Sequence, residues 1–210
     1  MALDTAFLIT AFVTMFVVID PIGLAPLFVA LTQGMTKALR RRIALRATGT
    51  AVLILLAFAA FGEALLSFIG ISMAAFRVAG GVLLFLTALD MLFERRTKRR
   101  EDRNEEEDHD DPSVFPLAIP LIAGPGSIAS VILLMGQRPG IEGTLMVLGA
   151  TAGVMLIVIG FFMASGLIER ALGKTGITVV TRLLGMLLAA LSVQFVLDGL
   201  SAFGFGPGMG

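Results

Sequence analysis

Two short motifs combine helix-breaking residues with groups that can bind a charged solute: Asp20-Pro21-Ile22-Gly23 and, 104 residues beyond the first proline, Gly124-Pro125-Gly126-Ser127. Both sit inside apolar stretches long enough to cross a bilayer. Proline removes a backbone donor and collides with the preceding turn, and glycine loosens what remains, so the helix is expected to break at each motif. A helix restarting in mid-membrane points unsatisfied amides and a partial positive charge at the break, a place suited to a carboxylate group. The competing reading is a pair of proline kinks packed against neighbouring helices.

Asp20 is the most informative residue, because a carboxylate at mid-span is expensive and rarely faces lipid. It is read either as the group that binds a substrate ammonium or takes up a coupling proton or sodium ion, or as the N-cap of the half-helix that begins at Pro21. The two readings are compatible. The second motif has Gly124 near this place, so charge chemistry at the site is expected to be one-sided. Asp20, Pro21, Gly23, Gly124, Pro125, Gly126 and Ser127 form the candidate substrate-binding set.

Arg77 and Arg182 are also intramembrane, each opening an Arg-x-x-Gly pattern, Arg77-Val78-Ala79-Gly80 and Arg182-Leu183-Leu184-Gly185. They are read as gates or charge partners on either side of a central site, or as side chains that snorkel to the interface. Gln194 is read as lining a polar path or as bonding another helix.

These residues must be positioned by membrane helices. Apolar residues make up 57% of the 210 positions and mean hydropathy is +0.94, more apolar surface than a soluble domain of this length needs. A span of about 20 residues crosses the hydrocarbon core. Six segments satisfy this, at roughly 5–33, 44–65, 70–93, 114–136, 143–166 and 178–202. The first is read as a retained span, because it has no basic leader and no small-residue cleavage site before Pro21. The proline motifs recur at an offset of 104 and the Arg-x-x-Gly patterns at 105, which makes two related halves, about 5–93 and 114–202, joined by a charged linker at 94–113. Each half has three spans, so the second inserts upside down relative to the first. The expected fold is all-α: a single membrane domain, 1–210, of six transmembrane helices in two inverted three-helix repeats, with spans one and four broken.

Basic residues orient the bundle. Lys37, Arg40, Arg41, Arg42 and Arg46 follow span one, Arg95, Arg96, Lys98, Arg99, Arg100 and Arg103 follow span three, and Arg170 and Lys174 follow span five; the opposite side has only Arg138. Both termini are therefore expected outside the cytoplasm. The linker holds the only histidine, His109, among eight carboxylates between Glu101 and Asp111. It is read as a solvated charged segment, its spacing matching no defined metal site. No metal and no cofactor are expected. There is no cysteine, no His-Glu-x-x-His and no Ser-His pair within the spans, so the chain is not expected to be an enzyme. Nor is there a Gly-x-x-x-x-Gly-Lys loop for ATP, which leaves ion gradients or exchange as the energy source.

The chain resembles the MarC family, also called the neutral amino acid transporter family, within the LysE superfamily. The resemblance rests on Ile19-Asp20-Pro21-Ile22-Gly23 with Pro26 and Phe28, on Arg77-Val78-Ala79-Gly80-Gly81, on Ile119 to Ile128 and on Arg182-Leu183-Leu184-Gly185 with Gln194 to Gly199. Where the family often carries Asn after the first motif's glycine, this chain has Leu24. The resemblance implies residence in the bacterial cytoplasmic membrane, and small neutral amino acids as cargo, as in some relatives. The expected function is secondary transport or export of such solutes by alternating access around a mid-membrane site, with a small-molecule substrate, proton or sodium coupling, a lipid bilayer around it and no nucleic acid. Alternatives are a drug or osmolyte exporter on the same scaffold and a non-catalytic membrane partner protein.

Overall fold

A computed structural model describes residues 4–93 and 112–205. The linker, with His109 and its carboxylates, lies outside the described residues. Eight helical elements follow in order: α1 Thr5–Ile19, α2 Pro21–Leu31, α3 Lys37–Phe68, α4 Met73–Leu92, α5 Ser113–Ile122, α6 Pro125–Gln137, α7 Ile141–Met163 and α8 Ser165–Ala202. Among the described residues, five helical stretches are long and apolar enough to cross a membrane: α1 with α2, α3, α4, α7, and the Thr175–Ala202 part of α8. The bent pair α5 and α6 makes the sixth. This all-helical, polytopic architecture is the expected one, with both interruptions in spans one and four.

Caps set the beginnings of the helices. The side chains of Asp4, Thr36 and Ser72 accept hydrogen bonds from the amides of Phe7, Leu39 and Ala75 at the starts of α1, α3 and α4. Two expected loops are helical instead. The basic stretch at 34–43 is a turn only to Thr36, and Lys37, Arg40, Arg41 and Arg42 form the first turns of α3. Its 32 residues extend about 48 Å, well beyond a hydrocarbon core of about 30 Å. Lys, Arg, Ala and Leu are strong helix formers, so the helix continues into the aqueous region. The stretch at 167–177 belongs to α8, which changes direction at Gly173, where φ is 60°; Arg170 is exposed there.

Outside, Leu53, Phe61, Leu86, Leu156 and Leu167 are largely exposed, as a lipid-facing surface requires. Inside, small residues let helices approach closely. The tightest pair is α4 with α8. A Cβ on Gly81 would stand 2.8 Å from Ser192 O, one on Gly185 3.2 Å from Ala88 O, and one on Gly199 3.0 Å from Ala74 O. Residue numbers rise along one helix as they fall along the other, so the pair is antiparallel.

Candidate functional site

The first break is made by Asp20. Its backbone is left-handed (φ 54°, ψ 65°), a conformation that Asp tolerates better than most side chains. Its amide closes α1 on Phe16 O at 2.9 Å, and its carbonyl opens α2 by accepting from Leu24 at 3.0 Å. Pro21 stands at the first helical position, where a missing donor costs nothing. Asp20 Oδ1 accepts from the Gly23 amide at 3.0 Å, so the cap reading holds. The carboxylate is 1% exposed. Gly23 is glycine because a Cβ there would lie 2.1 Å from Asp20 Oδ2. The Gly23 amide is thus engaged by Asp20.

The second break is built differently. α5 is irregular: the amides of Leu117 and Ala123 bond to the carbonyls of Pro112 and Ala118, five residues earlier, the backbone is extended at Phe115 and Ile119, and cis bonds precede Pro116 and Pro120. It meets α6 at a bend of 52°. Gly124 is extended (φ −88°, ψ 173°) and offers no side-chain cap. A Cβ on it would collide with Pro120 O at 2.4 Å. The Ser127 hydroxyl turns back, donating to Ile122 O at 2.7 Å and shared with Gly124 O at 3.0 Å. Ser127 therefore holds the break together with its side chain. The first amides of α6, at Gly126 and Ser127, have no carbonyl four residues earlier within their own helix. The two breaks are thus unequal: α2 begins on a carboxylate, α6 on a glycine.

They also meet. A Cβ on Gly126 would lie 3.2 Å from Val18 Cγ1, 3.5 Å from Thr87 Oγ1 and 3.6 Å from Leu84 Cδ2. The start of α6 therefore packs on the end of α1, two residues before Asp20, with α4 alongside. Leu24, at the place where Asn was noted, is fully buried in the apolar core.

At each end of the helix cluster that carries the breaks, an arginine lies over a phenylalanine ring. Near the N terminus, the Arg138 guanidinium lies 5.9 Å from the Phe7 ring centroid, pairs with Asp4, and reaches Glu142 at 3.8 Å. The Phe7 amide, and behind it the charge of Arg138, hold the Asp4 carboxyl below the usual carboxylate range. The loop that presents Arg138 needs Gly140, at φ 105°, and Gly143, whose Cβ would overlap Arg138 O at 1.9 Å. At the other end Arg40 lies 5.6 Å from the Phe28 centroid and donates to Ser165 Oγ at 3.2 Å. Phe28 in turn stacks on Phe162, with centroids 4.4 Å apart. Neither closure was foreseen from sequence; an Arg followed by aromatic neighbours only after folding gives no local signal.

Arg77, Arg182 and Gln194 are not gathered at the breaks. Arg77, on α4, is half-buried, and its Nε has no hydrogen-bond partner. Arg182 and Gln194 are exposed on α8, and Gln194 Nε2 donates to Asp198 Oδ1 at 2.7 Å. Among the described residues no group of His, Asp and Glu is arranged to hold a metal.

A family model for MarC family integral membrane proteins matches residues 5–203, nearly all of the described chain. The chain belongs to the MarC family. It is similar to a UPF0056 membrane protein of Archaeoglobus fulgidus, 38% identical over 198 residues and covering 93% of each chain. It is also similar to the UPF0056 membrane protein YvbG of Bacillus subtilis (37% identical, 93% of this chain and 94% of the relative) and to YhcE of Escherichia coli (32% identical, 94% and 93%). No solved structure matches it. As a MarC family member the chain is a multi-pass integral membrane protein, and both breaks lie within the matched region.

Proposed function

We propose that this MarC family protein is a secondary transporter of small zwitterions, most simply small neutral amino acids, working by alternating access around the joined breaks. The observation that carries the reading is the unequal pair of helix starts: a carboxylate 1% exposed at the head of α2, and beside it the head of α6 with no side-chain cap. A solute ammonium pairs with Asp20. Its carboxylate takes the amides at Gly126 and Ser127, where the helix dipole favours negative charge. A carboxylate and an uncapped helix start in neighbouring segments match an amino acid better than a simple anion or cation.

In this reading the halves about 5–93 and 114–202 are inverted repeats, and the closures at Arg138 and Arg40 open in turn. In the same reading the basic start of α3 lies in the cytoplasm and both termini outside, in a bacterial cytoplasmic membrane, an orientation that the basic residues favour. A proton or sodium gradient drives the cycle, and no step is enzymatic.

Flux of radiolabelled alanine, glycine and threonine into proteoliposomes under an imposed proton or sodium gradient tests the proposal. Saturable, gradient-dependent flux supports it, and its absence for all three in correctly inserted protein contradicts the cargo. Competition among unrelated hydrophobic compounds would favour the drug exporter instead.

A further inference from the structure

α1 and α6 run antiparallel, and one register describes their whole seam. Val18 stands against Gly126 at the break, and Asp4 pairs with Arg138 at the far end. Four residues from the break on each helix, one turn along the same face, come Thr14 and Ser130. Both are fully buried, and neither Oγ has a hydrogen-bond partner. Thr48 Oγ1 and Thr181 Oγ1 share that lack of a partner, whereas other hydroxyls bond back to their own helix. Thr32 and Thr151 each donate to the carbonyl four residues earlier, at 2.6 and 2.8 Å, and Ser192 donates to Ala189 O at 2.6 Å. Thr14 and Ser130 leave the same local option unused. Around α6, Ala129 and Leu133 face Gly80 on α4, Ile132 faces Gly62 on α3, and Ser130 lies one turn beyond Gly126, which packs on Val18 of α1. The side of α6 that Ser130 occupies, next to Gly126, turns toward α1.

We propose that Thr14 and Ser130 form a second polar station, a hydroxyl pair that binds water and the hydrogen-bonding groups of a small solute, on a route along the α1–α6 seam that Asp4 and Arg138 close. Thr14 lies about 9 Å from Asp20 along the helix axis and Asp4 about 15 Å beyond Thr14, at 1.5 Å per residue. Asp20, the hydroxyl pair and the ion pair thus follow one another from mid-membrane to the surface. Buried hydroxyls without partners are costly in an apolar interior, and water or solute between these two helices supplies the missing partners. The solute part rests on the transporter reading; the water route does not.

The chain has no cysteine, so single Thr14→Cys and Ser130→Cys variants each report from one place. Reconstituted protein is treated with a membrane-impermeant, positively charged methanethiosulfonate reagent from the side that labels Pro139→Cys, in the loop beside Arg138. Both cysteines become labelled, and several-fold faster when Arg138→Ala removes the closure, while Leu133→Cys, packed on Gly80, stays unlabelled. No labelling at either position, even with Arg138→Ala, overturns the route. A second arm uses Thr14→Val with Ser130→Ala, which keeps shape and removes both hydroxyls. Solute flux falls while thermal stability is held or raised; unchanged flux overturns the station. If the wild-type protein shows no flux, the transporter reading fails, and the labelling still decides whether the seam carries water.

Discussion

Val18 and Gly126 touch where the two interrupted spans meet: a methyl group on the glycine would come 3.2 Å from Val18 Cγ1. The contact joins residues 108 apart in sequence and sets the head of α6 beside the segment that ends in Asp20. An amide-rich helix start and a buried carboxylate are thereby held in one place by packing rather than by a bond between them.

Gly126→Ala is therefore a graded test of that contact. Only Val18 needs to yield, by a few tenths of an ångström, while Thr87 and Leu84 stand at ordinary contact distance, so the variant folds, with a loss of about 1 kcal/mol. Gly126→Leu does not fit and lowers the melting temperature far more. Flux falls with both, because the α6 amides move away from Asp20.

Gly23→Ala acts on the other helix start. Its methyl would lie 2.1 Å from Asp20 Oδ2 and 2.8 Å from Cγ, so the carboxylate must shift, which weakens its cap. Loss of an Asp cap costs about 1 kcal/mol, and thermal unfolding in detergent should report at least that.

Asp4 makes the closure near the N terminus insensitive to mild acid. Its folded pKa lies below the usual carboxylate value, so its contribution is present above that value and is lost as pH falls through the lower folded pKa. The difference in melting temperature between wild type and Asp4→Asn should stay constant from about pH 8 to about pH 5 and vanish only under strong acid. A difference that disappears near neutrality would mean that another group governs the closure.

Arg40 closes the opposite end through two contacts at once, the Phe28 ring and Ser165. Arg40→Ala should cost about 1 kcal/mol, from the cation–π contact and the hydrogen bond together. Arg40→Lys should restore only part, because an ammonium lacks the planar fork that stacks on the ring while donating sideways. Full restoration by Lys would reduce the contact to charge alone.

The breaks were legible because proline, glycine and a buried aspartate punctuate an otherwise apolar sequence, each with a local consequence. Asp20 in particular could be read as a cap from its place before Pro21. The path of α5 was not legible, although Pro116 and Pro120 mark an irregular segment, since which carbonyls remain bonded around two prolines is settled by packing. The basic residues after Gln33 looked like a loop by charge, yet Thr36 followed by Lys, Ala, Leu and Arg is a capped helix start. Helix propensity outweighed charge there. The closures at Arg138 and Arg40 depend on partners more than 100 residues distant, Asp4 and Ser165, which no local pattern connects.

Asp20→Asn separates charge from cap and tests the central claim most directly. Asn caps a helix about as well as Asp and also tolerates the left-handed backbone, so the variant should fold with stability close to that of the wild type. Gradient-driven alanine flux into proteoliposomes should then be lost, because the ammonium or coupling ion has no carboxylate to meet. A folded Asp20→Asn protein that transports alanine at the wild-type rate would contradict the account, leaving Asp20 as a helix cap alone.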